Sequence, residues 1–470
     1  MLVMKFGGTS VQDAAALRNV AQIVVSQRAR SPLVVLSACA GVTNALIDAG
    51  QKAASGKSEE ALAVFASLHL RHNAIADELL EGQSNKAKEL FETDFTSLRR
   101  LVYGLSIVNE LTPRALDQIV AHGERWSSML LALALEQRGV PVTPVDARTV
   151  MITGSEFTKA TPLFDVIEEK AKQILLPPLN EGRIVVTQGF IGSTKEGITT
   201  TIGRGGSDYS AAIFGAALNA EEIQIWTDVD GFLTADPKIV SDARKIKEMT
   251  FTEAAELAYF GAKVLHPSTI LPAVQKNIPV RVLNSRRPEG DGTLIANTAP
   301  AYPGCVVKSV AYKKGITVIG IQSTRMLMAH GFLARVFEVF ERYKKSVDVV
   351  VTSEVGVSLT VDNDSDVEKI EEELARFADV KVEKNKVVFC VVGERMKSTK
   401  GVAARVFRAL AEAQVNIELI SQGGSEINLT FVVDEAAIDD AVRALHQEFF
   451  SDDFASGNLF ESIVAQETAR

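Results

Sequence analysis

Two glycine-rich turns place charged residues where a phosphate group could bind. The first reads KFGGTS from Lys5 to Ser10, and the second reads GRGGSD from Gly203 to Asp208. Glycine lets backbone N–H groups approach an anion closely, and the start of a helix adds positive potential. Lys5 would bring a full charge, and an Asp208 carboxylate beside it would keep that charge ionised and oriented. The pairing predicts phosphoryl transfer, although each turn taken alone could serve only the fold, with Asp208 as a helix cap.

A third group of polar residues suits the ribose or adenine of a nucleotide. Thr227 and Asp228 end a strand-like run, the loop after them holds Asp236 and Lys238, and Lys263 follows the tripeptide FGA. Such side chains offer hydrogen-bond donors and acceptors beside free backbone groups. Each of these signals is weak when it is taken separately.

The elements that must position these residues can be read from the hydrophobic pattern. Short apolar runs alternate with helical stretches through the first 284 residues, and glycine and serine cluster directly after several runs. This alternation predicts an α/β fold with a central, largely parallel sheet covered by helices on both faces. Ligands bind outside the C-terminal ends of the strands in such a sheet, where the glycine-rich turns fall. We expect one helix to begin at about Val11, capped by Thr9 or Ser10, and another to span about 207–218.

An internal repeat follows a break rich in glycine and proline at 286–304. The run Ala334 to Phe337 recurs as Ala404 to Phe407, an offset of 404 − 334 = 70, and Leu359-Thr360 recurs at the same offset. Each copy reads as strand, helix, strand, strand, helix, strand. We therefore predict two βαββαβ units, which in metabolic enzymes usually bind a regulator or a second subunit.

Composition excludes several classes of protein. The formal net charge is -9 and no basic cluster contains aromatic residues, so we expect no nucleic-acid partner. No apolar run reaches the roughly 18 residues that span a bilayer, and no leader segment is recognisable, so we expect no membrane and a cytoplasmic location. Three scattered cysteines predict neither a disulfide framework nor a protein-bound metal site.

Taken together, these segments resemble the aspartate kinases of the amino acid kinase superfamily, and the repeat is similar to their pair of ACT domains. The matching stretches are KFGGTS at 5–10, LSACAGVTN at 36–44, HGE at 122–124, TQGFIG at 187–192, TTTIGRGGSDYSAA at 199–212, WTDVDG at 226–231 and FGAKVLHP at 260–267. The resemblance implies a three-layer αβα kinase domain with a mainly parallel sheet, followed by two ferredoxin-like ACT domains. The implied limits are 1–297 for the kinase domain, 313–385 for the first ACT domain, and 305–312 plus 386–470 for the second.

The resemblance also implies a reaction and a set of site residues. ATP would phosphorylate the β-carboxylate of L-aspartate to give 4-phospho-L-aspartate, the first step of lysine, threonine and methionine biosynthesis, with Mg²⁺ held mainly by the nucleotide phosphates and Asp208 nearby. The implied catalytic residues are Lys5 and Asp208; the substrate would be bound by Ser37, Thr43, Glu124 and Arg204; the nucleotide would be bound by Lys5, Gly7, Gly8, Thr227, Asp228, Asp236, Lys238 and Lys263. Glu124 gives no signal of its own, because a helix glutamate is normally at the surface. Leu233 and Lys238 depart from the family pattern, which commonly has Tyr and Arg there.

The segment from Met326 to Glu354 resembles the regulatory segment of lysine-sensitive aspartate kinases. The resemblance implies feedback inhibition by L-lysine through Met326, Gly331, Phe332, Leu333, Val347, Asp348, Ser353 and Glu354. Two carboxylates, Asp348 and Glu354, would suit a ligand with two ammonium groups, whereas the alternative is a solvated strand edge. ACT domains tend to associate, so we expect a homodimer or a dimer of dimers.

Two alternatives remain open at the level of the sequence. One is another amino-acid carboxylate kinase of the superfamily, acting on glutamate or N-acetylglutamate. The other is an inactive amino-acid sensor, which Leu233 and Lys238 motivate.

Overall fold

The computed structural model describes residues 1–261, 265, 267–299, 306–323, 330–422, 427–451 and 459–462. Its contacts divide the chain into two compact units, residues 1–231 with 264–299 and residues 232–263 with 300–470. Two predicted site residues, Lys263 and Met326, lie outside the described residues. The predicted domain limits stay a prediction. No helix in the described part of the chain is long and apolar enough to cross a membrane.

The helices and strands are as follows in chain order. The helices are α1 Ala14–Ser26, α2 Val42–Ala54, α3 Ser58–Leu79, α4 Asn85–Val108, α5 Pro113–Gln137, α6 Phe164–Ile174, α7 Leu176–Asn180, α8 Gly206–Leu218, α9 Phe251–Tyr259, α10 Leu271–Gln275, α11 Phe332–Arg342, α12 Val367–Leu374, α13 Val402–Glu412 and α14 Ile438–Phe450. The strands are β1 Leu2–Phe6, β2 Pro32–Leu36, β3 Val142–Pro144, β4 Ile184–Gln188, β5 Ile191–Ser193, β6 Thr199–Thr201, β7 Glu222–Thr227, β8 Arg244–Ile246, β9 Glu248–Thr250, β10 Val280–Asn284, β11 Thr293–Ala296, β12 Val307–Gln322, β13 Val350–Thr352, β14 Gly356–Val361, β15 Asp379–Gly393, β16 Leu419–Ser421, β17 Asn428–Asp434 and β18 Phe460–Ser462.

A mainly parallel sheet forms the centre of the first unit, as predicted. Seven of its strands lie in the order β3-β4-β2-β1-β7-β10-β11, and within this row only the β10–β11 pair is antiparallel. Successive side chains of a strand point to opposite faces. Met4 and Phe6 accordingly enter the core formed with α1 to α5, and the Phe6 ring stacks on Trp226 with 5.8 Å between centroids. Lys5, between them, points to the opposite face, where α8 packs on β1.

The first helix starts later than predicted. Residues Gly8–Val11 form a 3-10 turn, and α1 begins at Ala14 because the Asp13 carboxylate accepts the Ala16 N–H at 2.9 Å. Ser10 does not cap a helix; its hydroxyl hydrogen-bonds that of Ser285 at 2.8 Å. The prediction of a helix start at Val11 was therefore wrong, since the carboxylate two residues on is the better cap. Helix α8, in contrast, starts within one residue of its predicted position.

Two ACT-like copies share one antiparallel sheet in the second unit, with strand order β13-β14-β12-β15-β17-β16. Helices α11 and α13 each have 11 residues and follow a glycine with positive φ, Gly331 at +82° and Gly401 at +88°. The repeat with offset 70 is thus a repeat of structure. The long strands β12 and β15 pair along both copies, and the early part of β12 pairs with the later part of β15. Each copy has its own apolar core.

Candidate active site

A cavity of about 370 Å³ lies at the C-terminal ends of β1, β2 and β4 and at the start of α8. This is the edge of a parallel sheet at which ligands bind. The wall contains seven of the predicted site residues. They are Lys5, Gly8, Ser37, Thr43, Glu124, Arg204 and Asp208.

Lys5 and Asp208 form an ion pair in this cavity. The Lys5 ammonium lies 2.6 Å from Oδ1 of Asp208, and the two side chains are 10% and 16% exposed. Lys5 is held by the central strand β1, and Asp208 lies in the first turn of α8, where the helix dipole favours a carboxylate. The pair therefore fixes a cation on rigid elements at the wall of the cavity, and Asp208 is not the helix cap.

The turn before α8 carries Arg204 between two glycines with left-handed backbone. Gly203 has φ +83° and Gly205 has φ +73°, a conformation that side chains with a Cβ adopt at a cost. Arg204 itself is exposed and lines the cavity. A guanidinium held by such a tight turn is suited to bind a ligand carboxylate through two parallel hydrogen bonds.

Glu124 is the least expected member of the cavity wall. Helix α5 carries it, and the residue is only 3% exposed. Gly123 makes this placement possible, because a Cβ there would lie 2.7 Å from the Cβ of Ala38. Burial raises the pKa of Glu124 from 4.5 to about 8, and backbone N–H groups oppose the rise. Its Oε2 has no hydrogen-bond partner within the described part of the structure, which suits a ligand ammonium group.

The loop from Ser37 to Gly41 forms another part of the cavity wall and leads into α2, which carries Thr43. Its backbone is fixed on both sides, since the Ser37 N–H donates to the Phe6 carbonyl at 3.1 Å and the Ser127 hydroxyl donates to the Ser37 carbonyl at 2.7 Å. The Gly7 N–H donates to the Trp226 carbonyl at 3.0 Å. That amide is used by the fold, whereas Gly8 lines the cavity.

Several residues of the cavity wall were not predicted from the sequence. Phe190 has φ +65°, rare for an aromatic residue, and its N–H donates to the Ser210 hydroxyl at 2.9 Å. The motif TQGFIG contains this residue, but no pattern marks the side chain as part of a site. Asn44 and Ser207 were missed for the same reason.

Two of the predicted nucleotide residues of the first unit, Thr227 and Asp228, do not line this cavity. In the first unit, the Thr227 hydroxyl donates to its neighbour Asp228 at 3.2 Å, and Asp228 is exposed. In the second unit, Asp236 accepts the Tyr312 hydroxyl at 2.8 Å and the Lys238 N–H at 2.9 Å. Their role in binding a nucleotide stays a prediction, as does that of Lys263.

In the predicted sensor segment, Asp348 already has partners. Its side chain is 2% exposed, it accepts the Tyr259 hydroxyl, and it lies 3.1 Å from the Lys313 ammonium. Lys313 also pairs with Asp362 at 2.9 Å. Glu354 and Ser353 are exposed, so a solvated edge describes these two residues but not Asp348.

Three other predicted sensor residues, Gly331, Phe332 and Leu333, lie at the start of α11. Gly331 precedes the helix, Phe332 and Val347 pack in or against the core of the first copy, and Leu333 is exposed. The second copy repeats the ion-pair arrangement at Glu418, which lies 70 positions (418 − 348) after Asp348. There Lys386 lies 2.5 Å from Glu418 and 3.3 Å from Asp434.

The fold and the cavity define an amino acid kinase. Residues 1–284 match the Amino acid kinase family, and residues 389–449 match an ACT domain. The Lysine-sensitive aspartokinase 3 of Escherichia coli is 39% identical to this chain over 96% of the chain and 99% of the relative.

Two solved structures of Escherichia coli aspartokinase III extend the comparison, each 39% identical over 96% of this chain. One, in complex with aspartate and ADP and described as the R-state, has a TM-score of 0.79 and is covered to 100%. The other, in complex with lysine and aspartate and described as the T-state, has a TM-score of 0.81 and is covered to 99%. The chain belongs to the aspartokinases.

Proposed function

We propose that this protein transfers the γ-phosphoryl group of ATP to the β-carboxylate of L-aspartate and forms 4-phospho-L-aspartate. The observation that carries the proposal is one cavity that combines the Lys5–Asp208 pair with Glu124 and Arg204. A small amino acid with two carboxylates matches this set of charges. The reaction would begin the synthesis of lysine, threonine and methionine.

Each residue then has a distinct task. Arg204 would bind the α-carboxylate of aspartate and Glu124 its α-ammonium. Ser37 in the loop before α2 and Thr43 in the first turn of α2 would donate hydrogen bonds. The β-carboxylate is already ionised at pH 7, so the nucleophile needs no general base. Lys5, oriented by Asp208, would stabilise the charge that spreads over the phosphoryl oxygens in a loose transition state.

Mg²⁺ fits this scheme as a partner of the nucleotide. Asp208 is the one predicted protein carboxylate close to the phosphates, and its Oδ1 is engaged by Lys5 at 2.6 Å. The donor set therefore suits an ion held chiefly by phosphate oxygens, which would neutralise phosphate charge. We propose that the nucleotide is bound by Lys5, Gly7, Gly8, Thr227, Asp228, Asp236, Lys238 and Lys263, with Gly8 favoured over Gly7.

A coupled assay of ADP release tests the reaction. The enzyme is supplied with ATP, Mg²⁺ and L-aspartate, and in parallel with L-glutamate or N-acetyl-L-glutamate. Aspartate-dependent ADP release supports the proposal. Turnover with either of the other acids in preference to aspartate would favour a different carboxylate kinase, and no turnover with any acid would favour an inactive sensor.

We further propose that L-lysine inhibits the enzyme through Asp348 and its neighbours in the first ACT copy. The buried carboxylate of Asp348 can accept an ammonium group, and a mobile ligand could replace the Lys313 ammonium there. A titration with lysine at fixed aspartate and ATP, with threonine and methionine as controls, tests this assignment. Inhibition by threonine alone would remove it and leave the kinase activity standing.

We also propose a homo-oligomer formed through the ACT copies. Leu333 and Phe337, one turn apart on α11, are 37% and 39% exposed, and Val350 and Val355 are similarly exposed. Apolar side chains of this kind are typical of subunit interfaces. Light scattering of wild type and of a Phe337→Asp variant tests the proposal, since the variant should shift toward the monomer.

A further inference from the structure

A buried carboxylate outside the cavity wall ties together three segments of the first unit. Asp117, on α5, is 0% exposed. Its Oδ2 accepts the N–H groups of Thr158 and Thr201, each at 2.9 Å, and its Oδ1 accepts the Thr201 hydroxyl at 2.7 Å. Helix α5, the loop around Thr158 and strand β6 therefore meet at one side chain.

One of these partners has an unfavourable backbone. Thr158 has φ +71°, in the left-handed region where a β-branched residue is a rare outlier. Such a backbone conformation is unfavourable in free energy and persists only where surrounding groups hold it. The hydrogen bond from the Thr158 N–H to Asp117 is such a restraint, and the Ala160 N–H adds a second by donating to the Thr201 carbonyl at 2.9 Å.

Both hydrogen-bond partners of Asp117 lie next to the turn that carries Arg204. Thr201 ends β6, and the chain then enters the turn Gly203-Arg204-Gly205. The Thr158 carbonyl oxygen would lie 3.4 Å from a Cβ at Gly203, so this loop packs directly beneath the turn. The same helix carries Glu124 two turns after Asp117, at a spacing of 124 − 117 = 7.

We propose that Asp117 is a positioning residue for the amino-acid substrate. It holds the Arg204 turn through Thr201 and Thr158 and sets it at a fixed distance from Glu124. The inference depends on the proposed role of Arg204 in binding the α-carboxylate. Asp117 acts through hydrogen-bond geometry and touches no reacting atom.

Asp117→Ala should raise the KM for aspartate about ten- to a hundredfold, because even a small displacement of the Arg204 turn weakens binding of the substrate carboxylate. The KM for ATP should change less than about threefold. Asp117→Asn should restore most of the loss. The amide oxygen can accept both backbone N–H groups while the amide nitrogen donates to the Thr201 hydroxyl, which then acts as acceptor. Thr201→Val removes that acceptor, so the double variant with Asp117→Asn should lose the rescue.

Asp94→Ala is the matched control. Asp94 is also a largely buried carboxylate of this unit, and it accepts the Trp126 indole N–H at 3.0 Å and an Arg125 N–H at 3.2 Å. A merely structural role predicts that both alanine variants lower the melting temperature and leave the KM for aspartate alone. If Asp117→Ala fails to fold, Asp117→Ala combined with Thr158→Gly relieves the backbone strain and keeps the measurement possible.

The outcome separates this inference from the proposed function. An unchanged aspartate KM in a folded Asp117→Ala variant, or an equal rise in the KM for ATP, overturns the positioning role. Arg204→Ala is measured alongside. If Arg204→Ala raises the aspartate KM and Asp117→Ala does not, only the positioning inference fails, whereas an unchanged KM in Arg204→Ala removes the substrate assignment itself.

Discussion

Glu124 in the candidate cavity and Asp348 in the predicted sensor segment are buried carboxylates with opposite surroundings. In the cavity, one oxygen of Glu124 has no partner among the described residues. In the predicted sensor segment, the Asp348 side chain is also buried, but it already forms an ion pair with Lys313 and accepts a hydrogen bond from the Tyr259 hydroxyl. Within the described part of the chain, Glu124 thus has an oxygen free for a ligand, whereas an ammonium ligand at Asp348 would have to replace the Lys313 ammonium. Substitutions in the cavity should therefore lower activity directly, while substitutions in the predicted sensor segment should shift the balance between active and inactive states.

The strongest test of the preorganised cavity is Lys5→Ala. The variant should lower kcat by about 10² to 10⁴, because a fixed cation acts mainly on charge that develops in the transition state. Steady-state kinetics measure the effect, and tryptophan fluorescence reports the fold, since Trp226 stacks on the neighbouring Phe6. The exposed Lys195→Ala is a control that should behave as wild type. Near-normal turnover of a folded Lys5→Ala variant would remove Lys5 from the mechanism.

Arg204→Ala should act on binding instead. Loss of a charge-assisted contact of about 1.5–3 kcal/mol corresponds to a rise in the aspartate KM of roughly 10- to 150-fold, with a smaller change in kcat. Arg204→Lys keeps the charge but not the fork of two N–H groups, so it should restore only part of the affinity. A KM for aspartate that stays the same in both variants places the substrate carboxylate elsewhere.

Glu124→Gln tests the unpartnered carboxyl through pH. Because the folded pKa is raised from 4.5 to about 8, the carboxyl is protonated in both states below pH 4.5. Between pH 4.5 and 8 the unfolded chain loses a proton that the folded protein keeps, so this group's contribution to stability falls as pH rises. Glutamine at this position should consequently raise the melting temperature relative to wild type more at pH 8.5 than at pH 5.

Glu124→Gln should lower activity at high pH, although it raises stability there. An ammonium ligand favours the ionised carboxylate, so wild-type kcat/KM for aspartate should increase with pH, with a midpoint near 8. Glu124→Gln should lose this increase and raise the KM about tenfold at pH 8. Identical pH profiles of wild type and variant would mean that the group does not bind the substrate ammonium.

Site residues that lie in recognisable turns could be predicted from the sequence. Those whose placement depends on packing between segments distant in the chain could not. Lys5 and Asp208 were paired correctly because each lies at a strand or helix end with a recognisable turn. The burial of Glu124 depends on the close approach of Gly123 to Ala38, which no pattern on α5 reveals. Lys313 was missed as the partner of Asp348, because the repeat of 70 aligns Asp348 with Glu418 but not the two lysines, which lie 386 − 313 = 73 positions apart.

The smallest expected effect is on inhibition by lysine, and it should differ between substitutions in the first and second ACT copies. If lysine inhibits through Asp348, it must bind the inactive arrangement better than the active one, since equal affinity shifts nothing. Asp348→Ala should then weaken inhibition about tenfold, whereas Lys313→Met should strengthen it by roughly three- to tenfold, because the ligand no longer competes with a tethered ammonium. Lys386→Met removes the matching bridge from the second copy and should leave the lysine response unchanged. Lysine titrations of the three variants at fixed aspartate and ATP give the answer. Equal shifts in Lys313→Met and Lys386→Met would show that both act on the stability of the sheet and not on competition at Asp348.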